Sequence, residues 1–201
     1  PGWLPLGSGT IGHVLALATM PNGDVAVGGW VTMAGGVPVN FLARWDGTSW
    51  SALGTGVTGT GPVRALLPLP NGDLIVGGTF STAGGIPATN IARWNGTNWA
   101  NLGSLIDVNT LLQRSNGDIL AGGYFSSSGG GVVWRWSGSA WVACTLGLSG
   151  SQIRTLHELP NGDIVAAGRF TSAGGLPAAN IARWKWSTWS AIDIGLAGSF
   201  A

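Results

Sequence analysis

Lysine, cysteine, glutamate and tyrosine each occur once in 201 residues, as Lys185, Cys144, Glu158 and Tyr124. A single cysteine excludes an internal disulfide. With two histidines, His13 and His157, the chain lacks a cysteine–histidine cluster at zinc spacing, and no metal is expected. No histidine recurs beside Cys144, so that residue reads as a small core hydrophobe rather than a nucleophile. Charged side chains are scarce too, 8% of the chain with a formal net charge of +1. That excludes the basic stripe of a nucleic-acid binder. No apolar run approaches the roughly 18 residues of a spanning helix, so no membrane span is expected. The opening Pro1-Gly2-Trp3 shows neither a charged nor an apolar leader region, so no signal peptide is expected there. No glycine-rich phosphate loop precedes a helical pattern, and no cofactor is expected.

What is abundant is glycine, 36 residues, and tryptophan, 12, in a chain whose 45% hydrophobic content argues against disorder. Both residues recur with a period. The clearest copy runs from Val63 to Gly103, and copies begin at Val14, Val63, Val108 and Ile153, spaced 49, 45 and 45 residues apart. Repeats of about 40–50 residues built from short strands specify a propeller with one blade per repeat. Within the Val63 copy, Val63–Leu69 is the first strand. Pro70-Asn71-Gly72-Asp73 is a turn, expected as a two-residue type I′ hairpin. The second strand ends at Gly77-Gly78, a loop spans Thr79–Thr89, and Asn90–Trp94 and Asn98–Leu102 are the third and fourth strands around Asn95-Gly96. Glycine interrupts every stretch, and no period of 3.6 residues marks a helix.

Nine tryptophans fall on repeat positions. Trp45, Trp94, Trp136 and Trp184 end the third strands; Trp50, Trp99, Trp141 and Trp189 open the fourth, and Trp3 is an extra copy of that slot. Each ring can bury about 150–250 Å², a packing payload suited to blades with few charges. An Arg–Asp set recurs as well. Arg44, Arg93, Arg135 and Arg183 precede the third-strand tryptophan, and Asp24, Asp73, Asp118 and Asp163 close the first hairpin. Four equal sets do not make the one asymmetric site of an enzyme. They are expected to be structural, each arginine pairing with an aspartate of its own or an adjacent repeat.

The double glycine after the second strand, the third-strand aromatic and the tryptophan that follows (Gly77-Gly78, Trp94 and Trp99 in the second repeat) resemble a kelch-type blade. The chain is also similar to bacterial secreted-protein repeats that join an N-G-D hairpin to G-G-x-F and a later A-R-W strand. The resemblance spans essentially the whole chain and implies an all-β propeller of four-stranded kelch-like blades. The chain, 1–201, then holds a single domain with four blades, at about 14–54, 63–103, 108–147 and 153–195. The kelch-like galactose oxidases hold copper with tyrosine and histidine; Tyr124, His13 and His157 cannot supply that set.

The strand count is uneven: residues 3–7 are a fifth copy of the fourth strand, although Trp189–Ile192 already closes the last repeat. Three arrangements remain open. Two chains could complete an eight-bladed ring as a homodimer, the chain could be part of a longer array, or four blades could close with one frayed end.

The loop after the double glycine carries the residues that do not repeat. Trp30, Tyr124 and Arg169 share one position on that rim with Thr79, and the next residue (Val31, Phe80, Phe125, Phe170) is a core plug. Arg64, Asn109 and Arg154 share a position on the first strand near the expected channel mouth, suited to an anion, with Leu15 as the exception in the first repeat. His157 and Glu158 lie on a first strand and are expected to face a channel. Trp134 and Trp186 stand outside the repeat pattern, as a strand filler and a turn residue; Met33, Ser128 and Gly129–Gly131 add further differences. The reading is a non-enzymatic interaction or scaffold propeller, secreted or at the cell surface, with a protein or carbohydrate ligand. Trp30, Tyr124, Arg169, Arg64 and Arg154 are its candidate ligand-binding residues. The alternatives are a lectin-like propeller using the rim loops and, further off, a channel-rim hydrolase or lyase.

Overall fold

The computed structural model describes residues 2, 4–124, 131–185 and 187–192. Trp3, Phe125, Ser128, Gly129, Gly130, Trp186 and Asp193 lie outside the described residues. The chain divides into two compact units, Pro1–Leu105 and Ile106–Ala201. All its regular structure among the described residues is β, and no helix long and apolar enough to cross a membrane is present among them.

The N-terminal unit contains strands β1 (Thr10–Ile11), β2 (Val14–Thr19), β3 (Val25–Gly29), β4 (Met33–Ala34), β5 (Val37–Pro38), β6 (Leu42–Trp45), β7 (Trp50–Ala52), β8 (Val57–Thr58), β9 (Val63–Pro68), β10 (Leu74–Gly78), β11 (Thr82–Ala83), β12 (Ile86–Pro87), β13 (Ile91–Trp94) and β14 (Trp99–Asn101). Two antiparallel four-stranded sheets, β2-β3-β6-β7 and β9-β10-β13-β14, carry the first two repeats in sequence order. The second strands are buried along their length or nearly so, and their apolar side chains make the core between neighbouring sheets. The double glycine serves that packing. A Cβ on Gly28 would stand 2.5 Å from Val63 Cγ1, so the first strand of one repeat lies directly on the second strand of the one before.

Two local expectations are corrected. The loop after the double glycine is a small hairpin: β11 pairs β12, and β8 from the inter-repeat connection adds a third strand, as β1 does for β4-β5. Its turn, Gly84-Gly85, has φ values of +60° and +81°, the doubly left-handed backbone of a two-residue hairpin. By contrast the Asn71-Gly72 turn is not type I′, because only Gly72 has positive φ. The Gly72 N–H donates to the Leu69 carbonyl at 2.9 Å, and Leu69 N–H to the Asp73 carbonyl at 2.8 Å. Pro70 fixes φ near −65° and so starts a type I turn, with the glycine following as a left-handed bulge residue.

The C-terminal unit contains β15 (Val108–Gln113), β16 (Ile119–Gly123), β17 (Gly131–Trp136), β18 (Trp141–Glu158), β19 (Ile164–Ala173), β20 (Leu176–Pro177), β21 (Ile181–Lys185) and β22 (Thr188–Ala191). They form one eight-stranded sheet rather than two separate four-stranded ones. β18 runs for 18 residues, serving as the fourth strand of the third repeat and the first strand of the fourth. The corresponding stretch between the first two repeats holds Gly54 and Gly56 at positive φ and then Pro62, which interrupt the strand on either side of the short β8; Leu148-Ser149-Gly150-Ser151-Gln152 has no proline.

The expected strand copy at 3–7 is not a strand over its described residues 4–7. Pro5 brings no N–H donor, and among the described residues no strand pairs with it.

Candidate functional site

The repeated Arg–Asp sets form ion pairs inside each repeat. Arg44 Nε meets Asp24 Oδ2 at 2.5 Å, Arg93 Nη2 meets Asp73 Oδ2 at 2.6 Å, and Arg135 Nη1 lies 3.7 Å from Asp118 Oδ2. Arg183 Nε donates to Asp163 Oδ2 at 2.6 Å. Each hairpin aspartate also accepts from the amide of the asparagine two residues before it, at 2.7–3.1 Å. Burial pushes the Asp163 carboxyl upward, but the Arg183 and Asn161 hydrogen bonds outweigh it and hold the group below its ordinary value. The paired tryptophans face each other across the third and fourth strands, with ring centroids 5.4, 5.3, 5.3 and 6.2 Å apart in the four repeats. The described core plugs Val31, Phe80 and Phe170 are buried.

Three of the five candidate ligand-binding residues come together in the C-terminal unit. Tyr124 bridges antiparallel to Gln152, and Gln152 is the ladder partner of Arg169. Directly paired residues point to one face of a sheet with their Cβ atoms about 4.5–5.5 Å apart, so Tyr124, just after β16, forms one row with Gln152 on β18 and Arg169 on β19. Arg154 sits where the register shifts between Ile153 and Thr155, and its Nε donates to Gln152 Oε1 at 3.2 Å. Tyr124, Arg154 and Arg169 are all exposed. Neither Arg154 nor Arg169 has an ion-pair partner among the described residues. Sequence reading missed Gln152, because the pairing that places it between Tyr124 and Arg169 joins different repeats.

Trp30 and Arg64 belong to the N-terminal unit. Trp30 is 42% exposed, and its ring meets Phe41 edge-on with centroids 5.5 Å apart. Phe41 itself has φ +65°, the left-handed region that Asn90 and Asn180 occupy at the same repeat position. Arg64 Nη1 donates to Thr79 Oγ1 at 2.6 Å.

Glu158 does not stand as an unengaged acid. Its carboxylate accepts from Ser115 N–H at 2.6 Å and Ser115 Oγ at 3.1 Å, and lies 3.1 Å from Arg114 Nη2. Burial raises its pKa, but those bonds and the Arg114 charge prevail and lower it. Arg114, 4% exposed, also donates through Nη2 to the Gly162 carbonyl at 2.8 Å. Sequence reading missed Arg114; the available signal was an arginine at the hairpin position where the other repeats have Met20, Leu69 and Leu159. His157 and His13 are exposed. Among the described residues, no group of three or more His, Cys, Asp or Glu side chains could hold a metal. Asp46 is held far below the usual carboxylate range by hydrogen bonds from the Ser49 and Thr48 backbone and hydroxyls.

On the hairpin face of the N-terminal unit a cleft of about 420 Å³ opens between the first two repeats, lined by Met20, Asn22, Asp24, Arg44, Asn71 and Trp94 among others. In the C-terminal unit a cavity of about 410 Å³ is lined by Asn116, Gly117, Trp136 and Gly138. Those four occupy the repeat positions of Asn71, Gly72, Trp94 and Gly96, which line the cleft.

A family model described as "Domain of unknown function (DUF5122) beta-propeller" matches residues 69–96 and 159–183, each stretch running from a first hairpin into a third strand. No protein of curated function matches the chain. Among solved structures it is similar to a GH74 xyloglucanase from Xanthomonas campestris at 16% identity and a TM-score of 0.54, over 87% of this chain and 29% of that one. It thus spans under a third of the xyloglucanase. YCF48 bound to D1 peptide matches at 16% identity and a TM-score of 0.50, over 90% of this chain and 67% of that one. A putative gluconolactonase matches at 11% identity and a TM-score of 0.52, over 88% and 72%. At these identities the likeness is one of fold, and the fold is that of an all-β propeller.

Proposed function

We infer that the chain is a non-enzymatic interaction module built of kelch-like blades, exported or displayed at a cell surface, that grips an acidic segment of a protein partner. The observation that carries this reading is the row Tyr124–Gln152–Arg169 with Arg154 folded onto Gln152. Two guanidiniums and a phenol stand side by side in solvent, with no carboxylate paired to either arginine among the described residues. Arginine forks bind carboxylates in two-point fashion, and an exposed tyrosine adds a flat apolar face beside them. The acids support the same reading: the four hairpin aspartates hold arginines, Asp46 ties its own turn, and Glu158 is engaged by Arg114 and Ser115. YCF48 carries a peptide on the same kind of fold; the residues assigned that task here are this chain's own.

The test is a titration, by fluorescence anisotropy, of a labelled glutamate-rich peptide and its glutamine counterpart. The glutamate peptide binds with an affinity that falls as salt rises. Arg169→Ala and Arg154→Ala each weaken it roughly tenfold, as for loss of a charge-assisted hydrogen bond. Equal binding of the two peptides, or an unchanged double variant, overturns the reading.

A further inference from the structure

The geometry points to a second binding site, for a neutral saccharide, in the cleft between the first hairpins of the first two repeats. Its volume of about 420 Å³ falls within the roughly 300–1,000 Å³ of small-molecule sites. Trp94 contributes an aromatic surface that is only half-buried. Met20 adds apolar surface, and Asn22 and Asn71 stand exposed at the mouth. Each of these amides spends one N–H on its hairpin aspartate and keeps a second donor for a ligand. Asp24 and Arg44 cancel each other's charge at 2.5 Å, so nothing in the cleft favours an ion of either sign.

A flat apolar face beside amide donors and a fixed carboxylate matches the two sides of a pyranose. Its C–H face stacks on an aromatic ring, and its hydroxyl edge both donates and accepts. A purely apolar ligand would leave the second N–H of each amide without water or partner, and an ionic one would find no countercharge.

The equivalent place in the C-terminal unit carries a different side chain. Arg114 replaces Met20 and reaches the carbonyl of Gly162, the counterpart of the cleft residue Gly72, while Glu158 replaces Pro68 and Ser115 replaces Pro21. Between the first hairpins of the third and fourth repeats an ion-pair network thus spans the positions that, in the first two repeats, border the cleft. That substitution supplies a variant able to close the cleft without inventing new chemistry.

The experiment titrates the full chain with maltotetraose, cellotetraose and mannotetraose, read by calorimetry and tryptophan fluorescence. At least one of the three binds with a change in tryptophan emission. Met20→Arg/Pro21→Ser/Pro68→Glu, which transplants the Arg114 network, lowers that affinity by at least about tenfold with the thermal midpoint retained. Asn71→Ala keeps the cleft open, removes an amide at its mouth, and weakens binding as well. Arg154→Ala and Arg169→Ala leave saccharide binding unchanged. If none of the tetrasaccharides binds, or if binding survives in both cleft variants, the proposal fails.

Discussion

The indole N–H of Trp50 donates to the carbonyl of Leu6 at 2.9 Å, as that of Trp99 donates to Leu53 at 3.0 Å. Gly7 follows the same rule: a Cβ there would lie 3.4 Å from Trp45 and 3.5 Å from Trp50, and one on Gly54 would lie 3.1 Å from Trp94 and 3.3 Å from Trp99. Leu6-Gly7 thus sits against the first repeat as Leu53-Gly54 sits against the second. β22 meanwhile keeps its own ladder with β21, so neither copy of the fourth-strand segment displaces the other. Trp50→Phe and Trp99→Phe should each cost about 1 kcal/mol, the net worth of one hydrogen bond, in urea unfolding. Removing residues 1–7 should abolish the cost of Trp50→Phe while leaving that of Trp99→Phe intact.

Val63 and Val14 make a second matched pair. Val63 is 0% exposed, wedged against Gly28, whereas Val14 at the same repeat position is 40% exposed. Val63→Ala should cost about 1–3 kcal/mol as a core truncation, and Val14→Ala less than about 0.5 kcal/mol. Both are measured at low protein concentration. A Val14→Ala penalty that grows with concentration would reveal a second copy covering that strand. Gly28→Ala should destabilise by about 1–3 kcal/mol through overpacking, and Val63→Ala should relieve part of that loss.

Recurrence makes part of this architecture legible in the sequence alone. Asp73 and Arg93 can be paired by spacing because the same two residues return three more times at fixed intervals, and Phe80 and Phe170 read as plugs for the same reason. What recurrence hides is anything built from exceptions. Arg114 and Glu158 are unique to their repeats, lie 44 positions apart in sequence and meet only because consecutive first hairpins stack. Gln152 joins the rim only through its register with Tyr124 and Arg169. The fused strand β18 escapes a sequence reading because a missing proline is a weaker signal than a present one. Ala83-Gly84-Gly85-Ile86 does carry a hairpin signature, a two-glycine turn before a β-branched residue, which is lost when the stretch is taken as one long loop.

Cys144 is half-buried against the core of the C-terminal unit. Desolvation pushes its thiol up to about 11, with Arg135 pulling the other way. At pH 8 only about one thiol in a thousand would be ionised, against roughly a quarter for a free cysteine near 8.5. Alkylation by iodoacetamide at pH 8 should therefore run at least about a hundredfold slower in the native chain than in urea. Native labelling at the unfolded rate would show a thiolate that the core does not suppress.

Arg114 and Glu158 set the acid side of stability in the C-terminal unit. The native Glu158 pKa is lowered, so the carboxylate contributes stability fully above the unfolded glutamate value of about 4.3 and loses it as pH falls through the lower native value. Glu158→Gln should lie below the wild type by a constant amount above about pH 5.5, with the gap closing as the pH drops below about 4. Arg114→Met, the residue of the first repeat, should cost about 2–3 kcal/mol near neutrality, because it leaves a largely buried carboxylate without its cation. Adding Glu158→Gln to Arg114→Met should return part of that loss. The three variants are compared with the wild type by urea unfolding from pH 3 to 8. A gap for Glu158→Gln that stays constant down to pH 3 would mean that Glu158 is as readily protonated in the folded chain as in the unfolded one. In that case the bonds from Ser115 and Arg114 hold the hairpins in place without drawing on its charge.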